Sequence, residues 1–343
     1  MRLTWSTSTL ELERPFRISR GAISSREAVT VTVTGQNPDV EGHGEVVTSV
    51  YADLGVDKIE KQLGLIGELC RGGETVLDQA LARVHPAVAA AVWSAVAEHR
   101  ALSGNQSLAV HLGLPLPDEF PISRTLGIGT PASMAAEAAA MERCGVGLLK
   151  VKTDADVAES VRRLAAVAAA APAAELIVDP NEAWTAEKAL HVVSDTRGLP
   201  VVALEQPLPT HDRDGIRELR SRTDIPVIAD EAIHTLADLD GLAGLADAVN
   251  IKLPKCGGIY RAHDIAVAAR ARGLDVMLGC LVSSSLGIAP AVHLASMARW
   301  CDLDGHLFLA SDPWTGLGGE DGRLRPSGIA GLGVSRREEV NLR

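Results

Sequence analysis

Leu148-Leu149-Lys150-Val151-Lys152 follows the break Gly145-Val146-Gly147 and reads as a short apolar strand ending in two lysines. Side chains alternate along a strand, so Lys150 and Lys152 point the same way, about 7 Å apart. Two ammonium groups so placed repel each other unless carboxylates or a ligand lie close. Taken alone they describe an exposed strand end, and the residues that follow change that picture. Leu176-Ile177-Val178 runs into Asp179-Pro180-Asn181, Val201-Val202-Ala203-Leu204 into Glu205-Gln206-Pro207, and Val227-Ile228-Ala229 into Asp230-Glu231. Ala248-Val249-Asn250-Ile251 ends in Lys252. From Lys152 the steps are 27, 26, 25 and 22 residues, each the length of a strand, a helix and short loops. Charged groups thus recur at the C-terminal ends of successive parallel strands, where barrel enzymes build their sites.

The rhythm extends in both directions. Phe120 to Leu126 is expected as the first barrel strand, followed by a helix opened by Thr130-Pro131 and closed by Gly145. Asp154, Thr185 and Thr235 are expected helix caps, and Gly198 and Gly273 expected stops. Leu274 to Leu278, ending at Gly279-Cys280, and the strand entering Asp302-Leu303-Asp304 complete eight strand ends between Thr125 and Asp302, at intervals of 22 to 27 residues. Residues 1–117 lack this rhythm. Strands are expected at Leu3–Leu12, Ala28–Thr34 and Val40–Val47, then helices at Val56–Cys70, Thr75–Val84 and Pro86–Ser103, which together describe an α+β domain. Arg17-Ile18-Ser19-Arg20-Gly21 reads equally as a mobile loop or a hairpin connection. The expected architecture is α/β: an N-terminal α+β capping domain (1–117), a modified TIM barrel of (β/α)7β type (118–304) and a glycine-rich segment returning to the cap (305–343).

Bulk properties bound the function. The 343 residues suggest about two domains. A composition of 46% hydrophobic and 22% charged residues is that of a soluble globular protein. The net charge of −11 argues against a nucleic-acid partner. No apolar run has transmembrane length and the start lacks a signal-peptide pattern, so no membrane partner is expected. Five scattered cysteines without a C-x-x-C pair fit free thiols in a cytoplasmic protein. Gly127-Ile128-Gly129-Thr130-Pro131-Ala132 matches a dinucleotide fingerprint, but the next strand ends in Lys150 and Lys152 where that fold requires an acid. Ser283-Ser284-Ser285 has no nucleophile pattern around it and reads as a loop with a helix cap.

Asp179, Glu205 and Asp230 on adjacent strands should converge to within a few ångströms at the barrel mouth. Three carboxylates so close raise one another's pKa values unless a cation joins them. All-oxygen ligation with room for water and substrate suits Mg²⁺, with Mn²⁺ the alternative. Lys152 and Lys252 should flank that cation. A free lysine, with a pKa of about 10.4, is neutral only about once in 2,500 at pH 7. Beside a divalent cation and a second ammonium its pKa should fall, making it a usable base.

Together these residues resemble the enolase superfamily, for which a lysine or histidine base with Mg²⁺ is characteristic. Lys150-Val151-Lys152, Asp179-Pro180-Asn181, Leu204-Glu205-Gln206-Pro207, Ala229-Asp230-Glu231 and Asn250-Ile251-Lys252 are similar to the muconate-lactonizing subgroup. The resemblance implies that Asp179, Glu205 and Asp230 bind the metal. It implies that Lys152 and Lys252 exchange the proton through an enediolate, that Lys150 assists Lys152, and that Asn181 and Glu231 support the metal ligands. Asp302-Leu303-Asp304 looks like the D-x-D by which dipeptide epimerases hold the substrate's α-ammonium group. Arg20, Thr125 and Ser283 are further expected substrate contacts. A small-molecule dipeptide is the expected partner, and homo-oligomerisation is left open. The alternatives on this scaffold are o-succinylbenzoate synthase, N-succinylamino acid racemase and cycloisomerase; a ligand-binding barrel without catalysis would have lost a ligand or a base, and none is lost. Leu281, Val282 and Ser283 stand where family members often carry Met and Glu, and Val47-Thr48-Ser49-Val50-Tyr51 departs from the usual Pro-x-x-Arg-Tyr, so the side chains of the dipeptide stay undetermined.

Overall fold

Two long strands begin the chain. β1 (Arg2–Ile18) and β2 (Gly21–Thr34) pair antiparallel from Arg2↔Thr34 to Ile18↔Gly21. Their register slips between Glu11 and Phe16, where Pro15 has no N–H to offer the ladder. Arg17–Gly21 is thus a hairpin connection, turning at Ser19 and Arg20. β3 (Glu41–Val47) adds to β2 and completes a sheet in the order β1-β2-β3. The computed structural model describes residues 1–49, 52–69 and 74–337. Val50 and Tyr51 of the expected second cap loop, Cys70 and the last six residues lie outside the described residues.

Three helices back this sheet: α1 (Val56–Leu69), α2 (Glu74–Leu81) and α3 (Pro86–Ser103). α3 is apolar nearly all round, as expected of a helix enclosed on several sides. Its alanines let the sheet come close. A Cβ on Gly44 would overlap the carbonyl oxygen of Ala91, and one on Gly42 that of Ala95. The opposite side of α3 meets the barrel, where a Cβ on Gly258 would lie 3.0 Å from that of Trp93. α3 is therefore one of the elements that seat the cap on the barrel.

The barrel is an eight-stranded parallel sheet. After the short α4 (Leu108–His111), β4 (Phe120–Pro121) leaves the expected first strand and pairs antiparallel with Arg323–Leu324. The barrel strands are β5 (Arg124–Leu126), β6 (Leu148–Lys152), β7 (Glu175–Asp179), β8 (Val201–Glu205), β9 (Val227–Ala229), β10 (Ala248–Lys252), β11 (Asp275–Gly279) and β12 (Trp300–Asp302), hydrogen-bonded in that order. Ser123 N–H donates to Cys301 O at 2.8 Å and closes the ring. Ile177, Ala203, Ile228, Ala248, Met277 and Trp300 plug the interior. Among the described residues no helix is long and apolar enough to cross a membrane.

Six α-helical connections and one 3-10 segment join the barrel strands. α5 (Pro131–Arg143) is capped by Thr130 and α7 (Ala186–Asp195) by Thr185, as expected. α6 (Val157–Ala170) is capped by Asp156 rather than Asp154. Asp154 instead accepts from Asp156 N–H and pairs with Arg163 at 2.9 Å, so two acids divide the capping and bridging roles. Between β9 and β10 the shortest interval leaves room only for a 3-10 helix, Leu236–Leu242, opened by a Thr235–Asp238 capping box. α8 (Arg213–Ser221) follows β8, α9 (Leu253–Cys256) and α10 (Ile259–Ala271) follow β10, and α11 (Ser285–Val292) follows β11 with Ser284 as its N-cap.

Candidate active site

Parallel register sets the charged strand ends in a layer. Thr125 is opposite Lys150, Lys152 opposite Asp179, and Lys252 opposite Gly279, which is opposite Asp302. The backbone leaves β7 and β8 through left-handed residues: Asn181 at φ 47°, Glu182 at 66° and Gln206 at 36°. Each such non-glycine residue costs about 1–3 kcal/mol. Side-chain bonds hold these turns. Asn181 N–H donates to Asp179 Oδ1 at 2.9 Å, and Gln206 Oε1 accepts from Asp230 and Ala232 N–H.

Lys150 is the hub, with 1% of its surface exposed. Its Nζ donates to Glu205 Oε1 at 2.9 Å and Asp302 Oδ2 at 2.8 Å, and lies 3.1 Å from Asp179 Oδ2. Burial opposes its charge, but Asp302, Glu205, Asp179 and Asp230 overcome that and hold its pKa well above the ordinary lysine value. Lys152 donates to Asp179 Oδ2 and to Asn181 Oδ1. Burial works against Asp179, yet Lys152 and Lys150 hold it down to about 2. Burial and the charge of Asp179 push Glu205 up to about 7.

Across the mouth, Asp230 is gripped by two lysines. Lys252 Nζ donates to its Oδ2 at 2.7 Å, and Lys255 Nζ to its Oδ1 and backbone oxygen. Against burial, these cations hold Asp230 well below the carboxylate range. Burial lowers Lys255 more than Asp230 restores it. For Lys252, burial is outweighed by Asp230, and its pKa rises. Facing the acids directly, Lys252 stays above the ordinary lysine value; the lowered pKa expected for Lys152 and Lys252 belongs to the site with a divalent cation bound. Lys255 escaped sequence reading. Its only signal is its place one turn beyond Lys252 on the four-residue α9.

Among the described residues no three His, Cys, Asp or Glu side chains stand as a ready metal cage, because each acid is turned toward a lysine. The donor set nevertheless fits a hard cation. Glu205 Oε2 is 2.7 Å from Lys150 Nζ but lacks a hydrogen-bond direction, and Glu231 Oε2 and Asn250 Oδ1 are buried without partners. With Asp179 and Asp230 at the neighbouring strand ends, they make an all-oxygen donor set, which is the chemistry Mg²⁺ selects.

Above them lies a cavity of about 220 Å³. Its floor shows Lys150, Lys152, Lys252, Lys255, Asp230, Asn181 and Glu231, while Asp179 and Glu205 lie fully buried beneath. Thr125, Asp302 and Asp304 form one side, and Phe16, Ile18, Leu281, Val282 and Phe308 form an apolar rim. Arg20 reaches over from the cap hairpin to Glu182 at 2.7 Å and Glu231 at 2.6 Å. Ser283 does not line this cavity; its hydroxyl turns back to Leu281 O at 3.1 Å. Clefts of about 610 and 730 Å³ elsewhere are larger, but their linings contain none of these lysines.

Asp302 ends its strand, and Asp304 lies past it at φ −93° and ψ 7°, so the two are not on one extended strand. They still converge, on Thr125 Oγ1, at 3.3 and 3.2 Å. Asp302 is anchored by Lys150 and by Ser123 at 2.8 Å. Asp304 accepts from Thr125 N–H at 2.6 Å, and burial with the charge of Asp302 pushes it up to about 7. A buried carboxylate in that state gains from a visiting cation.

A parallel barrel under an α+β cap, with three successive acids flanked by lysines at its mouth, defines a class of protein, and the chain belongs to it: the enolase superfamily, through a match of residues 133–340 to the family described as enolase C-terminal domain-like. Among curated relatives, the L-Ala-D/L-Glu epimerase of Escherichia coli (strain K12) is 35% identical over 88% of this chain and 92% of its own length. The N-acetyl-D-glutamate racemase of a Pseudoalteromonas species is 41% identical over 60% and 63%. Among solved structures, a dipeptide epimerase from Enterococcus faecalis V583 complexed with Mg and the dipeptide L-Leu-L-Tyr superposes with a TM-score of 0.91 at 26% identity, over 98% of this chain and 99% of that one. Epimerases and racemases are isomerases.

Proposed function

We propose that this chain is a divalent-cation-dependent dipeptide epimerase that inverts the α-carbon of the C-terminal residue. One observation carries the reading: two lysines reach one cavity from opposite strands, β6 and β10, and the same cavity holds an acid, Asp304, suited to a cation. Asp179, Glu205 and Asp230 would hold Mg²⁺, or Mn²⁺ by ligand type. Loss of the α-proton places a second negative charge on the substrate carboxylate, and a bound divalent cation supplies the positive charge that this enediolate needs. Lys152 and Lys252 act from the two faces of the α-carbon. Whichever is neutral takes the proton, and the other, as ammonium, returns one to the opposite face. Lys150, bonded to Glu205 and Asp302, orients both. Asp304 receives the dipeptide's α-ammonium beside Thr125.

The 41% identity to an N-acetyl-D-glutamate racemase supports a second reading, in which the substrate is an N-acylated amino acid. Such a substrate has no ammonium for Asp304. A charge-assisted hydrogen bond is worth about 1.5–3 kcal/mol, so Asp304→Asn should lower kcat/KM for a dipeptide roughly 10- to 150-fold and leave its N-acetylated form almost untouched. The measurement is epimerisation of both in deuterated water, by mass spectrometry, in wild type and variant. A wild type that prefers the acetylated substrate, or a variant affecting both alike, replaces the first reading with the second.

A further inference from the structure

β3 turns two residues toward the barrel. Alternation places Glu45 and Val47 on the face opposite Val46, which belongs to the cap core. Val47 packs in one cluster with Val282, Leu281 and Phe308. Glu45 reaches the start of α11. Its Oε1 accepts Ser284 N–H at 2.8 Å and its Oε2 accepts the Ser284 hydroxyl. That hydroxyl accepts Leu286 N–H at 3.2 Å. Ser285 N–H and hydroxyl are taken by Asp312 at 3.0 and 2.6 Å. Every N–H from Ser284 to Leu286 is therefore bound by a side chain, and two carboxylates occupy the positive end of the helix. Space is tight: a Cβ on Gly287 would lie 2.8 Å from Glu45 Oε1.

The clamp sits directly behind the site. The segment joining β11 to α11 leaves Gly279, presents Cys280, Leu281 and Val282 to the cavity, and is pinned at Ser284. No charged residue occurs in α11 itself, so the cap supplies the carboxylate that holds this segment. We propose that Glu45 is a positioning residue: by clamping Ser284 from the cap, it sets the Leu281–Val282 wall against the substrate side chain and so shapes the substrate selectivity of the pocket. The inference rests on reading the 220 Å³ cavity as the substrate site. Glu45 touches no reacting atom. A glutamine would keep its reach and one accepted N–H, whereas alanine or the shorter aspartate releases Ser284.

The test compares kcat/KM for two dipeptides that differ only in the size of one side chain. Glu45→Ala should change their ratio about tenfold or more, the range a hydrophobic pocket gains or loses with small changes of fit. Glu45→Gln should leave the ratio near that of wild type. Loss of folded enzyme lowers both rates equally and cancels in the ratio, so an unchanged ratio with a lowered Tm would reduce Glu45 to a structural strut and overturn the proposal. Should Glu45→Ala not fold, Glu45→Asp takes its place. If wild type turns over no dipeptide, the proposed function fails separately, and amide hydrogen exchange decides. Faster exchange confined to residues 279–286 in Glu45→Ala, absent in Glu45→Gln, supports the clamp, and no local change rules it out.

Discussion

Lys152 and Lys252 differ in what holds them, although both end barrel strands. Lys152 is tied to Asp179 and Asn181, while Lys252 shares Asp230 with Lys255. If each faces one side of the α-carbon, replacing either with alanine abolishes epimerisation but leaves the other able to act on one stereoisomer. Lys152→Ala and Lys252→Ala should therefore each exchange the α-proton of one epimer with solvent deuterium, and they should prefer opposite epimers. Mass spectrometry of both epimers incubated separately in deuterated water reads this out. Identical preferences would mean that the two lysines are not a two-base pair. Lys150 is held apart from both by its bonds to Glu205 and Asp302.

At the level of elements, β10 and β11 set the reach of Lys252 through a missing side chain. A Cβ on Gly279 would overlap Asn250 Oδ1 and come within 2.8 Å of Lys252 Cε. Gly279→Ala should thus displace Lys252 by a fraction of an ångström to an ångström, a shift that lowers kcat roughly 10- to 100-fold. A Tm close to that of wild type would separate this from unfolding; an unchanged kcat would show that the tether does not matter. Strand ends were legible in the sequence because a parallel barrel repeats one local unit, so Lys152, Asp179, Glu205, Asp230 and Lys252 announce themselves by interval. What stayed hidden was set by distant partners or by fine geometry. Phe120 leaves its expected strand for Leu324, some two hundred residues away in sequence. Asp154 is the cap the sequence suggests, but it bridges to Arg163 and leaves the capping to Asp156. Ser283 turns from the cavity through a bond to a neighbouring carbonyl that no spacing reveals. Lys255 belongs to no periodic position.

For the whole molecule, the seam between cap and barrel contains a carboxyl whose ionisation opposes folding. Burial pushes Glu45 up to about 7 from the ordinary 4.5, with Asp312 the like charge beside it. The folded state keeps the proton after the unfolded chain has released it. The associated stability is therefore fully present below about pH 4.5 and lost as pH rises through about 7, a difference on the order of 3 kcal/mol. Glu45→Gln keeps the reach and removes the titration, so its Tm should fall less than that of wild type between pH 4.5 and 7.5. Thermal melts across that range give the comparison; parallel curves would show that Glu45 titrates normally. Asp179, held down to about 2, acts in the opposite sense: its contribution is present above about pH 4 and is lost as pH falls through about 2.

The ring closes through Ser123 to Cys301 and Thr125 to Asp304, joining the first strand to the last. On the ribosome, β5 emerges long before β12. At 5–20 residues per second the intervening chain takes roughly ten to thirty-five seconds to synthesise. Throughout that time the nascent barrel has two open edges, and the Asp302–Asp304 side of the cavity does not yet exist. Protease resistance of arrested nascent chains should therefore arise only once Asp304 has cleared the exit, and resistance at an earlier arrest point would show that the open sheet protects itself.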